Sequence, residues 1–411
     1  MSRARVGGPV ALWSAFLVVH LLIAGLGWVY PSQPMGDVVL VYEPWSASAL
    51  SGGAVVGVTE SWVYPQLALL PMLVAKWISL PLMSAIGASG AYLVAWAVLV
   101  TALDAVAFAF LVGRSPSRSR RTAAWFWCAA LLLLGPIAMY RIDAITVPLA
   151  LAGGLWLVRR PAVGAALLAV GAWVKIWPGA LVVAAVVAGR RRMPMLIAAV
   201  AVTAAIMVTL FVLGADAELL GFLTEQTGRG LQIEAVAATP FLWVIAAGGS
   251  ARIEYSFDIL TFQIGAEGAD VVAAALTPLM LLTALSVAAV GALKSWRGAS
   301  FGRLFPPLAL TLVAALIVTN KVGSPQFQTW LIAPVVVWVV FDRARAGTPA
   351  LLVLALCALT CFIYPLSYDA LLRAELLPVI VLSVRNVLLV ILFILGIRAL
   401  VRVPSHPVNR R

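Results

Sequence analysis

The chain has 411 residues, is 63% hydrophobic and only 11% charged, and carries a mean hydropathy of +1.06 and a formal net charge of +12. That much apolar surface excludes an ordinary soluble fold, and the way the positive charge is distributed argues for membrane topology rather than nucleic-acid binding. Runs of about 20 apolar residues, enough to cross roughly 30 Å of hydrocarbon, recur along the sequence. Backbone groups in lipid must pair internally, and the runs are continuous rather than alternating, so they predict helices and not barrel strands. The expectation is an all-α polytopic membrane protein forming a single integral domain over 1–411.

The first run, 9–29, follows Arg3 and Arg5 and lacks a small-x-small cleavage site before Tyr30-Pro31, so it predicts an uncleaved first helix. A polar segment, Asp37 to Pro65, comes next. Residues 66–83 are apolar, but counting them as a span would put Arg114–Arg121 on the wrong side. They are therefore expected as a juxtamembrane helix interrupted by Pro71 and Pro81, so that 30–87 forms the first extracytoplasmic region. Helices are predicted at 88–112, 123–139 and 144–158. Those at 161–174 and 178–189 lie between two Arg clusters and must go out and return, with Lys175-Ile-Trp-Pro178 at their tip. A helix at 194–213 leads into a second large extracytoplasmic region, 214–269, interrupted by the apolar run 240–247. Helices at 270–292, 304–319, 329–341, 349–364 and 377–399 bring the number to about twelve, with both chain ends cytoplasmic.

The basic clusters are Arg3/Arg5, Arg114–Arg121, Arg159-Arg160, Arg190–Arg192, Lys294–Arg303, Arg343–Arg345 and Arg398–Arg411. Placing all of them inside puts 20 of the 28 Lys and Arg on one side, which satisfies the positive-inside rule. Of the 16 acids, all but Asp104 and Asp342 then fall on the other side or at its interface. Cys128, Cys357 and Cys361 sit in apolar segments and imply neither a disulfide nor a metal framework; His20 and His406 are too far apart for a metal site. Asp104, Arg385-Asn386 and His20 fall inside predicted helices, where ions pair or line cavities.

The outward strings are Asp37-Val-Val-Leu-Val-Tyr42-Glu-Pro-Trp45 with Gly52-Gly53, Trp62-Val-Tyr64-Pro65-Gln66-Leu67, and Arg141-Ile-Asp143-Ala-Ile-Thr-Val-Pro148. They continue with Lys175-Ile-Trp177-Pro178, Arg229-Gly-Leu-Gln232-Ile-Glu234, and Lys321-Val-Gly-Ser324-Pro325-Gln326 with Trp330-Leu331. In this order, from about residue 35 to 340, the set resembles glycosyltransferase family 87, membrane enzymes of the GT-C type that are best known from actinobacteria. Tyr64-Pro65-Gln66 departs from the family's usual Tyr-Pro-Pro. The resemblance implies a GT-C bundle in the plasma membrane with an extracytoplasmic active site, membrane-lipid substrates and inversion at the anomeric carbon. It also implies a polyprenyl-phosphate-mannose donor, a glycolipid acceptor of phosphatidylinositol mannoside or lipomannan type, and Asp37 as the catalytic acid-base residue.

The residues suit that chemistry. An acceptor hydroxyl must lose a proton as it attacks, and one carboxylate suffices because the phosphate leaves already charged. Asp37 stands just past the first helix, at the water interface; Glu43 and Glu60 share its segment. Fixed cations should meet the phosphate, and Arg141, Lys175, Arg229 and Lys321 are the outward candidates. Arg141 and Asp143 are close enough in sequence to pair with each other or to orient a sugar. Sugar and acceptor contacts are expected from Tyr42, Glu43, Trp45, Trp62, Tyr64, Asp143, Gln232, Glu234 and Gln326, although Trp and Tyr also collect at any membrane interface. No cofactor is implied; a divalent metal, if used, would have Asp37 with Asp143 or Glu234 as ligands. Alternatives are the same fold with a polyprenyl-phosphate arabinofuranose donor, a lipid-linked sugar flippase or transporter, and a structural subunit of an envelope-synthesis complex.

Overall fold

The apolar runs fold as helices whose ends fall at Gly, Pro and charged breaks. The computed structural model describes residues 8–215, 220–224, 228–257 and 261–405. The Arg3/Arg5 pair, His406, Arg410-Arg411 and parts of the two polar regions (216–219, 225–227, 258–260) lie outside the described residues.

The helices are α1 (Pro9–Val29), α2 (Glu43–Leu50), α3 (Leu69–Ser79), α4 (Met83–Val112), α5 (Arg118–Leu134), α6 (Asp143–Trp156), α7 (Pro161–Val174), α8 (Pro178–Ala188) and α9 (Arg192–Val212). They continue with α10 (Gly221–Thr224), α11 (Thr239–Ala246), α12 (Ala269–Trp296), α13 (Phe301–Val318), α14 (Ile332–Cys361), α15 (Tyr368–Leu372) and α16 (Leu376–Val401). A single antiparallel hairpin, β1 (Arg252–Ser256) with β2 (Thr261–Gly265), is the exception to an all-α architecture among the described residues. It lies in a region expected to be loop. Its Tyr255, Phe262 and Thr261 supply the β-branched and aromatic residues that favour extended pairing.

Among the described residues, eight helical stretches are long and apolar enough to cross a membrane. The expected twelve spans meet a physical limit in α6, α7 and α8. With 14, 14 and 11 residues they reach only about 21, 21 and 16 Å, short of the hydrocarbon thickness. Pro71 does not interrupt α3, as the sequence had suggested, because it occupies the first helical turn, where no N–H is needed. Pro81 does separate α3 from α4, in a 3₁₀ turn over Leu80–Leu82. The expected loop before 349 is absent as well. α14 turns at Asp342, with φ −146 and ψ 68, and resumes at once.

α13 sits at the centre, with 72% of its apolar window buried, whereas α9 and α12 bury only 17% each and present Leu, Val and Ile outward. α5 packs on α14, α6 on α7, α7 on α9, and α13 on α8, α12, α14 and α16. The described basic clusters fall in the turns at one end of this bundle. Arg192 Nη2 donates to Ser295 Oγ at 2.9 Å there, and Lys294 Nζ to the Val403 carbonyl at 3.2 Å. Inside the bundle, His20 of α1 meets Asp104 Oδ2 of α4 at 3.1 Å, so these two intramembrane groups pair.

At the opposite end, Leu231–Ile233 joins the hairpin through Ile264 N–H to Leu231 O (2.8 Å) and also takes the Lys321 carbonyl on Gln232 N–H (3.0 Å). Gly323 makes this contact possible: a Cβ there would stand 2.0 Å from Ala235 N and 2.2 Å from Glu234 C. Gly323→Ala is therefore expected to force the two loops apart and lower stability by roughly 1–3 kcal/mol. Thermal unfolding in detergent micelles checks this, and an unchanged midpoint would refute the close approach.

Candidate active site

Asp37 opens a π-helical turn, Val38–Tyr42, that runs straight into α2 and buries Val38 and Tyr42 while leaving Asp37 half-buried. Before it, Ser32 and Gln33 both adopt positive φ (57° and 48°), a left-handed conformation rare for residues with a Cβ. That turn aims the Pro34 carbonyl and the Asp37 carboxylate at one partner, Arg141. Arg141 Nε stands 3.3 Å from Asp37 Oδ2, and Nη1 donates to Pro34 O at 2.8 Å and to Tyr140 O at 3.0 Å. Nη2 donates to the Tyr364 hydroxyl at 3.1 Å, and the guanidinium lies 5.7 Å from the Tyr364 ring centroid.

Arg141 is held in place by its own segment. Gly135–Ala138 forms a 3₁₀ turn between α5 and α6; Trp96 Nε1 donates to Met139 O at 2.9 Å and Tyr140 Oη to Ala24 O at 3.2 Å. Burial disfavours the charged guanidinium, but Asp37 and the Tyr364 hydroxyl outweigh that cost and shift it upward, so it stays cationic. Two expectations change here. Arg141 pairs with Asp37 and not with Asp143. With three of its N–H groups donated to Pro34, Tyr140 and Tyr364 and its charge paired with Asp37, it also has less to offer a phosphate.

The other cations converge on the same place from distant parts of the chain. Lys175, at the α7–α8 tip, projects over the Tyr64 ring with Nζ 4.2 Å from the centroid. It lies within electrostatic reach of Asp143, Arg229 and Asp37, and Arg229 in turn reaches Lys321. Burial lowers Lys175 from the usual lysine value, opposed by Asp143 and Asp37, with Arg229 adding to the fall; burial and Arg229 lower Lys321. Asp143 is fully buried. Its Oδ1 accepts from Trp330 Nε1, and Oδ2 has no hydrogen-bond partner among the described residues.

Several expected sugar contacts turn out to be structural. Tyr42 is fully buried and its hydroxyl accepts from Ile142 N–H at 3.1 Å, beneath Asp37. Glu43 reaches away to Lys76 Nζ (3.1 Å) and Ser89 (3.2 Å). Glu234, expected in a polar loop, is buried: Oε2 stands 3.4 Å from Arg385 Nη2, which also binds the Glu234 carbonyl at 2.9 Å. Burial pushes its carboxyl up to about 7, with Arg385 pulling the other way. Gln232 is buried against Gln263 and Lys321. Trp45, Tyr64 and Gln326 remain half-buried; Trp45, Trp62 and Tyr64 form mutual edge-to-face contacts at 5.3–6.1 Å. Glu60 is exposed on the same segment.

Tyr364 and Trp330 were missed as site residues. Tyr364 had been placed at the end of a helix, although Pro365 and the polar Ser367-Tyr368-Asp369 mark the stop; its hydroxyl also donates to Ser32 O at 3.1 Å. A groove of about 480 Å³, lined by Trp28, Tyr30, Gln33, Met35 and Leu40 among others, runs from the end of α1 toward the Asp37 turn. Among the described residues no group of three or more His, Cys, Asp or Glu side chains is placed to hold a metal ion; Asp143 and Glu234 contact Trp330 and Arg385. Neither a protein-family model, nor a curated protein, nor a solved structure matches the chain.

The geometry separates structural from available acids. Glu234→Ala strands a buried Arg385 and should cost roughly 3–5 kcal/mol. Asp37→Asn keeps a polar oxygen beside Arg141 at a half-exposed position and should cost about 1 kcal/mol. Urea or thermal unfolding of the two purified variants checks the ranking; equal losses would contradict it.

Proposed function

We propose that this chain is an inverting glycosyltransferase that moves mannose from a polyprenyl-phosphate donor to a glycolipid acceptor, with Asp37 as general base. The observation that carries the proposal is one half-exposed carboxylate set among cations from four separate loops, at one end of an apolar helical bundle. Such a cluster suits a ligand that gains negative charge as it departs.

Asp37 accepts the proton of the acceptor hydroxyl while that oxygen attacks the anomeric carbon from the face opposite the phosphate. Arg141 positions the carboxylate through Nε and fixes the turn that carries it. Lys175, Arg229 and Lys321 take up the charge of the leaving phosphate. Burial holds the Tyr42 and Tyr64 hydroxyls protonated, and Tyr64 also supplies the face under Lys175. The groove beside Trp28 and Tyr30 gives a lipid substrate an apolar approach from the bundle surface. The reading includes a GT-C bundle of about twelve passes, the active site outside the plasma membrane and the basic turns facing the cytoplasm. A flippase would instead line a mid-membrane path with charged groups free to meet a substrate, whereas His20 and Asp104 form an ion pair with each other.

Purified Asp37→Asn protein, given radiolabelled polyprenyl-phosphate-mannose and a phosphatidylinositol mannoside acceptor, should lose at least roughly 100-fold in transfer while remaining folded. Full transfer by that variant would falsify the assignment of the base.

The lowered lysines add a pH signature. The cations are needed charged, so transfer should decline as pH rises, beginning below the usual lysine value near 10.4. Lys175→Arg, which keeps its charge, should move this alkaline limb upward. A limb that stays put in both Lys175→Arg and Lys321→Arg would remove the lysines from the reaction.

A further inference from the structure

At the arginine-rich end of the bundle, the ends of α4, α5, α6 and α13 and the kink of α14 surround a cavity of about 960 Å³. α6 separates it from the Asp37 cluster by its own length, about 21 Å, so nothing here depends on the proposed transfer reaction. The floor is aromatic. Phe110 and Trp156 meet edge-to-face at 5.1 Å, and Phe301 and Phe341 lie 6.4 Å apart.

The rim is cationic, formed by Arg114, Arg120 and Arg159. Arg120 is pinned at the mouth, where Nη1 donates to the Phe110 and Leu111 carbonyls (2.8 and 2.9 Å) near the end of α4. Arg159 lies within electrostatic reach and repels it. No acid appears among the described residues lining the cavity. The carboxylate nearest in the chain, Asp342 beside Phe341, is held by Arg345 at 2.9 Å. Membrane orientation alone needs basic residues in the turns; it needs neither a pinned guanidinium nor a hollow with an aromatic floor.

We propose that this cavity is a binding site for an anionic phospholipid, its phosphate held by Arg114, Arg120 and Arg159 and its first methylenes lying on Phe110, Trp156, Phe301 and Phe341. Planar guanidiniums match phosphate oxygens in pairs, and the bound anion relieves their mutual repulsion. The volume is that of a site enclosing a headgroup and the start of its chains rather than a free phosphate ion.

The test uses the delipidated full-length protein in neutral detergent, with thermal unfolding followed against added phosphatidylglycerol, phosphatidylcholine or inorganic phosphate. Phosphatidylglycerol should raise the midpoint more than the other two. In Arg114→Gln/Arg159→Gln, at exposed positions with Arg120 spared, the half-saturating concentration should rise at least tenfold. Arg190→Gln/Arg191→Gln, at another exposed turn of the same end, should respond like the parent. Equal stabilisation by phosphatidylcholine or by phosphate alone would overturn the site, as would an unchanged response in the first variant or an equal loss in the control.

Discussion

A buried guanidinium joined to a half-exposed carboxylate governs this end of the molecule. Arg141 is 5% exposed, and a cation so placed persists only when its N–H groups are satisfied. Its partners come from three stretches far apart in the chain: Pro34 and Asp37, its neighbour Tyr140, and Tyr364. The position of Asp37 is thus set jointly by the turn that carries it and by its ion pair with Arg141. The same bonds explain how Ser32 and Gln33 remain in left-handed conformations that cost about 1 kcal/mol or more each. Tyr364 closes the circle by donating to Ser32 O while accepting from Arg141. A lysine in place of Arg141 would supply the charge without the fork.

Charge elsewhere follows a pattern: several buried ions pair across separate segments, and cations gather at the two ends. His20 with Asp104, Glu234 with Arg385 and Glu43 with Lys76 are pairs joining separate segments. A stranded ion in that low dielectric would cost several kcal/mol, so removing either partner is worse than never having had the pair. At the two ends, where water or an anion can provide compensation, cations accumulate. Lys175, Arg229 and Lys321 do so near Asp37, and Arg114, Arg120 and Arg159 do so around the aromatic cavity. The net charge of +12 is in this sense a distribution with two foci.

Much of this was legible in the residues. Helix ends followed from Gly and Pro: the predicted start at 88 falls just after the Gly87 break, and 161–174 and 178–188 lie within a residue of expectation. The four outward cations and Asp37 were identified from polar strings between apolar runs, and they do converge. Three-dimensional pairing was not legible. Arg141 and Asp143 are neighbours in sequence, but the start of α6 directs Asp143 inward to Trp330 while Arg141 points back to Asp37. Glu234 looked solvated because its string is polar; its partner Arg385 lies about 150 residues away in an apolar helix, where it had been read as a packing group. The hairpin was missed because Arg252–Gly265 has no strong two-residue turn signal.

The cation cluster also limits what the site can favour. Two unit charges about 4 Å apart interact by roughly 4 kcal/mol at the effective dielectric of a protein surface. Arg229 repels both Lys175 and Lys321, while Asp143 and Asp37 favour the charged Lys175. A group gaining negative charge beside these cations is stabilised further as the charge grows. A neutral substrate would gain nothing from such an arrangement, and a permanent anion would gain nearly as much before reaction as during it. Only a departing anion turns the cluster into a lower barrier, because the stabilisation grows as the bond to the phosphate lengthens. In the proposed reaction Arg141, through its ion pair with Asp37 and its bonds to Pro34, Tyr140 and Tyr364, would hold Asp37 in place while charge develops on the leaving group.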